Sequence, residues 1–168
     1  PGPVGPCGPC VEFYFDRGEN FWPEDRDMGV NDRYTEIWNN VMMSYYQDGS
    51  GDIKAGQNNV DTGMWFERLV MVLQNTETIF ETDLFAYGIE TIEGFTDTKY
   101  SDYLQSYRIL LDHLRSSTFL ICDGVVPSNE GRGYVLRRLI RRGYFNLTKL
   151  ATLDNTKLAK FFNQFVTG

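Results

Sequence analysis

A turn that carries an asparagine leads into a strongly basic segment at residues 127–142. The arginines of this segment repeat at four-residue steps, which on a helix places them in two short rows: Arg137 with Arg141 and Arg138 with Arg142. Guanidinium groups bind phosphates, and an asparagine amide can donate and accept hydrogen bonds at a single base. This pattern predicts a helix that binds nucleic acid, although arginine-rich helices also occur as plain solvated surfaces.

The basic segment stands out because the chain as a whole is acidic. The formal net charge is −7, but from Asn129 onward there are eight Lys and Arg residues against two Asp and Glu residues. Electrostatic attraction acts over roughly 10 Å at ordinary salt concentrations, so the local charge decides whether a polyanion binds. The composition therefore does not exclude a nucleic-acid partner.

A second candidate functional position lies where a strand is expected to end and a helix to begin. Residues 60–63 close a strand with a glycine, and from Met64 to Gln74 apolar residues recur at helical steps. The first amide groups of a helix have no partners within the helix and attract anions. We therefore expect an anion-binding position at this junction.

Three cysteines and one histidine limit the metal chemistry. The odd cysteine number, in a chain without an export signal, disfavours a disulfide framework. Cys7 and Cys10 form a C-x-x-C motif, but zinc needs four ligands, and Cys122 and His113 supply no second pair at a usable spacing. We predict no metal site, a tight turn at residues 5–10, and a packing or hydrogen-bonding role for His113.

Apolar periodicity divides the chain into a sheet and a helical segment, which makes the predicted fold class α+β with a boundary near residues 75–81. Strands are expected at residues 11–16 and 34–46, and a long connection at 49–59 precedes a third strand that ends at residue 63. Helices are expected at residues 64–74, 80–90, 103–121, 132–150 and 157–165.

Two of these helices have apolar sides that should face a core. In the helix over residues 103–121, the expected inward side chains are Leu104, Tyr107, Leu111, Leu114 and Ile121. In the basic helix they are Val135, Leu136, Leu139 and Ile140. No apolar run approaches the ~20 residues needed to cross a bilayer, so we expect no membrane partner and a cytoplasmic location.

Seven short motifs in a fixed order connect the chain to a known family. They are GPCGPC (5–10), EIWN (36–39), VDTGM (60–64), ER (67–68), DLF (83–85), DHLR (112–115) and PSNEGRGY (127–134). Motifs of this length are weak singly, but seven in one order are specific. The chain resembles the alanyl-tRNA synthetase family, collinearly to about Arg142.

The resemblance implies a fragment of a larger ATP-dependent ligase. Residues 1–78 would be the C-terminal part of the class II aminoacylation domain, with its antiparallel sheet and the third class signature at residues 60–68. Residues 79–168 would begin the helical domain that recognises the tRNA acceptor stem. The complete protein would activate alanine to alanyl-adenylate and transfer it to the 3′ end of tRNA(Ala), whereas this fragment alone is expected to be inactive.

The resemblance also implies roles for individual residues of the substrate site. Asp61 matches the aspartate that binds the ammonium of alanine, Asn39 a substrate-contacting asparagine, and Gly63 the glycine that shapes the pocket. Arg68 matches the signature arginine that contacts ATP phosphates, so Asp61 and Arg68 are the expected catalytic residues. ATP and Mg²⁺ are the expected cofactors, and zinc is expected only in a downstream domain that this chain does not include.

The same resemblance implies a specific partner for the basic segment. Asn129 matches the asparagine that reads a G·U pair in the acceptor stem, and its alternative role is that of a helix N-cap. The expected phosphate-binding residues are Arg132, Arg137, Arg138, Arg141 and Arg142. The expected partner is thus the acceptor stem of tRNA(Ala) rather than DNA.

Two tryptophans depart from the family pattern. Trp65 and Trp22 stand where relatives carry glycine, and an indole at residue 65 would alter the adenosine pocket. One hypothesis is that both positions are encoded by UGA codons that the source organism reads as glycine. The alternative function, a non-catalytic RNA-binding or regulatory paralogue of the synthetase, is favoured if Trp65 is genuine and no upstream half of the catalytic domain exists.

Overall fold

Strands and helices are separated along this chain. The computed structural model describes residues 4–21, 28 and 33–167. Residues Pro1–Ile79 form one unit with an antiparallel sheet and one helix, and Phe80–Gly168 form a second, helical unit. The predicted α+β class is confirmed. The position of Trp22 lies outside the described residues.

The sheet is built around one long strand. Its strands are β1 (Gly5–Cys7), β2 (Cys10–Asp16), β3 (Tyr34–Gln47) and β4 (Ile53–Met64). β1 and β2 both pair antiparallel with β3 and lie end to end along one of its edges, while β4 pairs with the other edge. The segment expected to be only a tight turn therefore contains a short strand, which the sequence analysis missed.

Gly8 allows β1 and β2 to follow one another along the same edge of β3. A Cβ atom at this position would overlap the carbonyl oxygen of Met42. The Met42 amide donates a hydrogen bond to the carbonyl oxygen of Pro9 at 2.8 Å. Only a residue without a side chain permits so close an approach, so the glycine–proline run holds the chain against the central strand.

The expectation of a long connection over residues 49–59 was wrong for most of its length. Residues 53–59 belong to β4, and the turn is confined to residues 48–52, where Gly49 and Gly51 have φ values of 88° and 94°. Across this turn the Lys54 ammonium donates to the Asp48 carboxylate at 2.5 Å. Main-chain pairing with β3 outweighs the weak strand propensity of the polar residues in β4.

Helix α1 (Phe66–Gln74) follows β4 directly and buries one side chain, Met71. The Trp65 amide donates to the Ile37 carbonyl oxygen at 2.9 Å, which ties the start of the helix to β3. Asn75 ends the helix in the left-handed conformation with φ 53°, and its amide bonds back to the last turn. The strand-to-helix junction predicted near residue 63 is therefore confirmed.

In its described residues, the second unit contains four α-helices: α2 (Asp83–Thr96), α3 (Leu104–Cys122), α4 (Gly131–Leu150) and α5 (Asn155–Thr167). α3 packs along α4, and α2 contacts both α3 and α5. Seven core side chains are at most 1% exposed: Ile92, Tyr107, Leu110, Leu111, Leu136, Leu147 and Phe161. No helix in the described part of the chain combines the length and apolar content needed to cross a bilayer.

The four predicted helices are present, but parts of their predicted apolar sides are wrong. Leu104 and Ile121 are exposed on α3, and Val135 and Ile140 are exposed on α4. The buried positions of α4 are Gly133, Leu136, Gly143, Asn146, Leu147 and Leu150. At Gly143 the two helices lie close together, since a Cβ added there would be in van der Waals contact, 3.5 Å from a side chain of α3.

We expect Leu111→Ala to lower the free energy of unfolding by about 2–5 kcal/mol, because it removes a fully buried side chain and leaves a cavity. Leu104→Ala on the same helix is the matched control. That side chain is 41% exposed, so its loss should cost less than about 1 kcal/mol. Urea unfolding followed by far-ultraviolet circular dichroism measures both. Equal effects would contradict the buried face of α3.

The turn between β3 and β4 should respond to acid. Hydrogen bonds from Lys54 and then from Ser50 lower the pKa of Asp48 from 3.8 to about 2. A carboxyl group with a depressed folded-state pKa stabilises the fold above its unfolded pKa, and this contribution is lost as the pH falls through the folded value. Between pH 3.8 and about 2, the melting temperature should therefore fall more steeply in the wild type than in Asp48→Asn.

The control for this experiment is Asp52→Asn, which removes a carboxylate from the same turn and leaves the ion pair between Asp48 and Lys54 in place. It should keep the pH dependence of the wild type. Identical melting profiles for the wild type and Asp48→Asn would show that the ion pair contributes nothing to the stability of the turn.

Candidate functional site

A polar hollow opens on one face of the sheet where β3 and β4 run side by side. Asn39 pairs with Gly63 and Val41 pairs with Asp61, and directly paired residues point to the same face of a sheet. The hollow has a volume of about 380 Å³, and its lining consists of Glu36, Asn39, Val41, Asp61, Gly63, Met64 and Trp65. The structure thus brings together the three residues predicted to bind alanine.

Arg68 lies in the first turns of α1 and reaches back to residues that line the hollow. Its Nη1 donates to the carbonyl oxygen of Glu36 at 2.9 Å and lies 3.6 Å from the Glu36 carboxylate. Its guanidinium carbon lies 4.7 Å from the centroid of the Trp65 ring, a cation–π distance. Arg68 is therefore beside the hollow, and its charge is partly matched by Glu36.

A chain of hydrogen bonds on the same face of the sheet escaped the sequence analysis. The Asn39 amide nitrogen donates to Glu12 Oε1 at 3.1 Å, and the Cys10 thiol donates to Asn39 Oδ1 at 3.0 Å. The Tyr14 hydroxyl donates to Glu12 Oε2 at 2.6 Å. The alternation of polar and apolar residues in β2 could have indicated that this strand has a polar face. It could not have indicated that Asn39 of β3 would lie beside that face.

The phenol of Tyr14 is held in its neutral form by this contact. Its hydrogen bond to Glu12 is the main cause that raises the pKa of Tyr14 from 10.0 to about 12, with smaller contributions from burial and from the charges of Glu12 and Glu36. The contact thus makes ionisation of the Tyr14 phenol still less favourable than in a free tyrosine.

The opposite face of the sheet is aromatic. Phe13 pairs with Trp38, and their ring centroids lie 5.6 Å apart. The Trp38 indole nitrogen donates to the Thr62 hydroxyl on β4. This alternation separates an aromatic surface from the polar surface that carries the hollow.

The arginines of α4 are all solvent-exposed, which agrees with the predicted phosphate-binding surface. This holds for Arg132, Arg137, Arg138, Arg141 and Arg142. Exposed aromatic side chains lie among them, and Tyr134 is 50% and Phe145 61% exposed. No sequence motif pointed to a role for these rings, although π-faces near guanidinium groups favour contact with nucleic-acid bases.

Asn129 does not cap α4. The N-cap residue is Glu130, and the Asn129 side-chain oxygen instead accepts a hydrogen bond from Nη1 of Arg137. The capping alternative is therefore wrong, because Glu130 separates Asn129 from Gly131, the first residue of the helix. Asn129 and Arg137 are brought together across two turns of the helix.

His113 lies on the buried face of α3, where it is 8% exposed and its Nδ1 is 2.8 Å from the Asp112 carboxylate. This placement agrees with the predicted packing and hydrogen-bonding role. Cys7, Cys10 and Cys122 are free thiols. Within the part of the chain that the structure describes, no group of three or more His, Cys, Asp and Glu residues could hold a metal ion.

Comparison with known proteins relates the chain to tRNA synthetases. A family model described as tRNA synthetases class II (A) matches residues 1–167. Similar curated proteins include alanine–tRNA ligases of Clostridioides difficile (strain 630), 48% identical over 83% of this chain and 17% of the relative, and of Ruegeria sp. (strain TM1040), 44% identical over 91% of this chain and 18% of the relative.

A third relative, from Mesorhizobium japonicum, is also an alanine–tRNA ligase and is 47% identical over 84% of this chain and 16% of the relative. The chain thus spans about a sixth of the length of the relatives it matches. The match to the family model covers nearly every residue, including both the strands that form the hollow and the basic helix. The chain therefore belongs to the class II tRNA synthetase (A) family.

Proposed function

We propose that the protein to which this chain contributes is an alanine–tRNA ligase. It activates alanine with ATP to alanyl-adenylate and transfers the alanyl group to the 3′ end of its tRNA. The observation that carries this proposal is the hollow in which Asn39, Asp61 and Gly63 meet, in a chain 44–48% identical to alanine–tRNA ligases. Residues 1–78 belong to the aminoacylation domain, and residues 79–168 begin the domain that binds the acceptor stem.

The chemistry of the hollow suits a small amino acid. An ammonium group needs an anionic partner, which Asp61 supplies, and a carboxylate needs a donor, which the amide of Asn39 supplies. Gly63 lies opposite Asn39 without a side chain, and a Cβ there would meet no atom within 4 Å, so the hollow is open at this position. A side chain as small as a methyl group completes such a pocket.

ATP is the second substrate, and Mg²⁺ accompanies it to neutralise its phosphates. Arg68 is the residue placed to bind a phosphate, because its guanidinium lies beside the hollow and its side chain is 39% exposed. The first amides of α1 add donors at the same junction. Together these groups stabilise the negative charge that develops when the carboxylate of alanine attacks the α-phosphate and pyrophosphate leaves.

The basic helix binds the acceptor stem in two ways. The five exposed arginines contact backbone phosphates and therefore contribute affinity without sequence preference. Asn129 contributes specificity: because its oxygen accepts from Arg137, its amide nitrogen is left to donate to base-edge acceptors of the G·U pair. Arg137 thus orients the residue that reads the RNA.

A second candidate function, a non-catalytic RNA-binding or regulatory paralogue, is favoured by Trp65. The indole lines the hollow and lies 4.7 Å from the Arg68 guanidinium, where the family resemblance implies a glycine. In this alternative the indole blocks the adenosine pocket and keeps Arg68 in a cation–π contact. The protein then binds RNA but does not activate an amino acid. Retained RNA binding without alanine-dependent activity, in the complete protein, would support this candidate.

The substrate site is tested in the full-length protein by alanine-dependent exchange of pyrophosphate into ATP. Asp61→Ala should lower kcat/KM for alanine by about 100-fold or more, because the ammonium loses its charged partner. Asp52→Ala, in the turn before β4, is the matched control and should retain full activity. Exchange supported only by another amino acid would refute the alanine assignment.

The two modes of RNA contact are separated by measuring the affinity of acceptor-stem hairpins that carry either G·U or G·C. Arg138→Ala should weaken both hairpins by the same factor and reduce the salt dependence of binding, since it removes a phosphate contact. Asn129→Ala should weaken the G·U hairpin about tenfold and the G·C hairpin little. A uniform loss in Asn129→Ala would contradict the reading role.

A further inference from the structure

The polar residues of β2 lie directly beside Asn39. Glu12 pairs with Asn39 across the ladder, and Cys10 pairs with Val41, so both β2 side chains share the face that carries the hollow. Asp61 and Gly63 flank Asn39 from β4 on the other side. Asn39 thus stands between a strand that supplies hydrogen-bond partners and a strand that supplies the pocket.

The hydrogen bonds determine which way the Asn39 amide points. A carboxylate only accepts hydrogen bonds, so the group that lies 3.1 Å from Glu12 Oε1 is the amide nitrogen. The amide oxygen then faces the Cys10 thiol at 3.0 Å and accepts from it. The second N–H of the Asn39 side-chain amide is left to donate to another group. Asn39 lines the same hollow as Asp61.

Glu12 is itself held in place. Its second oxygen accepts a hydrogen bond from the Tyr14 hydroxyl at 2.6 Å, a distance typical of a bond between a hydroxyl and a charged oxygen. The elevated pKa of Tyr14, about 12, agrees with this strong contact. Glu12 therefore has one oxygen for Tyr14 and one for Asn39, and both partners donate.

We propose that Glu12 is a positioning residue that fixes the Asn39 amide so that its free N–H, and not its oxygen, meets the carboxylate of the amino acid. The inference rests on the proposed function. Without Glu12 only the weak thiol donor of Cys10 opposes rotation of the Asn39 amide, and an amide oxygen that faces the substrate carboxylate repels it. Glu12 thus governs amino-acid affinity through Asn39 and does not touch the substrate.

The test is a double-mutant cycle in the full-length protein, with KM for alanine measured by pyrophosphate exchange. Glu12→Ala should raise KM for alanine about tenfold and leave KM for ATP within about twofold. In an Asn39→Ala background, Glu12→Ala should have no further effect on KM for alanine. Additive effects of the two substitutions, or an equal rise in KM for ATP, would overturn the inference.

Two milder variants guard against a general loss of folding. Glu12→Gln keeps a carbonyl acceptor for the Asn39 amide and should recover most of the alanine affinity. Tyr14→Phe loosens Glu12 and should raise KM for alanine about threefold at an unchanged melting temperature. An unchanged KM in Tyr14→Phe, or a Gln variant as impaired as the Ala variant, would count against a positioning role.

The matched control is Asp16→Ala, which removes another carboxylate of β2 that pairs with Arg33 at 2.7 Å. KM for alanine should be unchanged in this variant. A wild-type protein that shows no alanine-dependent exchange would reject the proposed function together with this inference. A wild-type protein that is active, with additive effects in the cycle, would reject the positioning role alone.

Discussion

The register between β3 and β4 is the constraint on which the candidate site depends. It sets Asn39 opposite Gly63 and Val41 opposite Asp61, and so gathers an amide, a carboxylate and an open space on one face. A slip of one residue would turn Asp61 and Gly63 to the aromatic face, where Trp38 and Phe13 pack. The bond between the Trp38 indole and Thr62 on that face helps to hold the register.

The acidic side chains of the sheet and the arginines of α4 form two surfaces of opposite charge. In the sheet, acidic side chains are paired with specific partners, as Glu12 is with Tyr14 and Asn39, or line the hollow, as Asp61 does. On α4 the arginines are exposed and surrounded by few acids. A net charge of −7 therefore hides a cationic surface, because interactions with a polyanion depend on the nearest charges.

Neighbouring groups fix the position of the Arg68 guanidinium. Glu36 holds the guanidinium through a carbonyl oxygen at 2.9 Å, and the Trp65 ring covers it at 4.7 Å. The backbone contact orients the arginine, whereas the indole competes with any planar group that approaches the same surface. Residue 65 thus decides how much of the Arg68 guanidinium is open to solvent.

Local patterns in the sequence determined the fold class, the helices, the strand-to-helix junction at Gly63 and the exposed arginine rows, because periodicity and charge spacing act over a few residues. Family motifs also identified Asn39, Asp61 and Gly63. Only the tertiary structure decided that β1 and most of β4 are strands, that Glu12 lies beside Asn39, and that Arg137 rather than the helix end engages Asn129. These contacts join residues distant in sequence or depend on register and turn geometry, which no local pattern specifies.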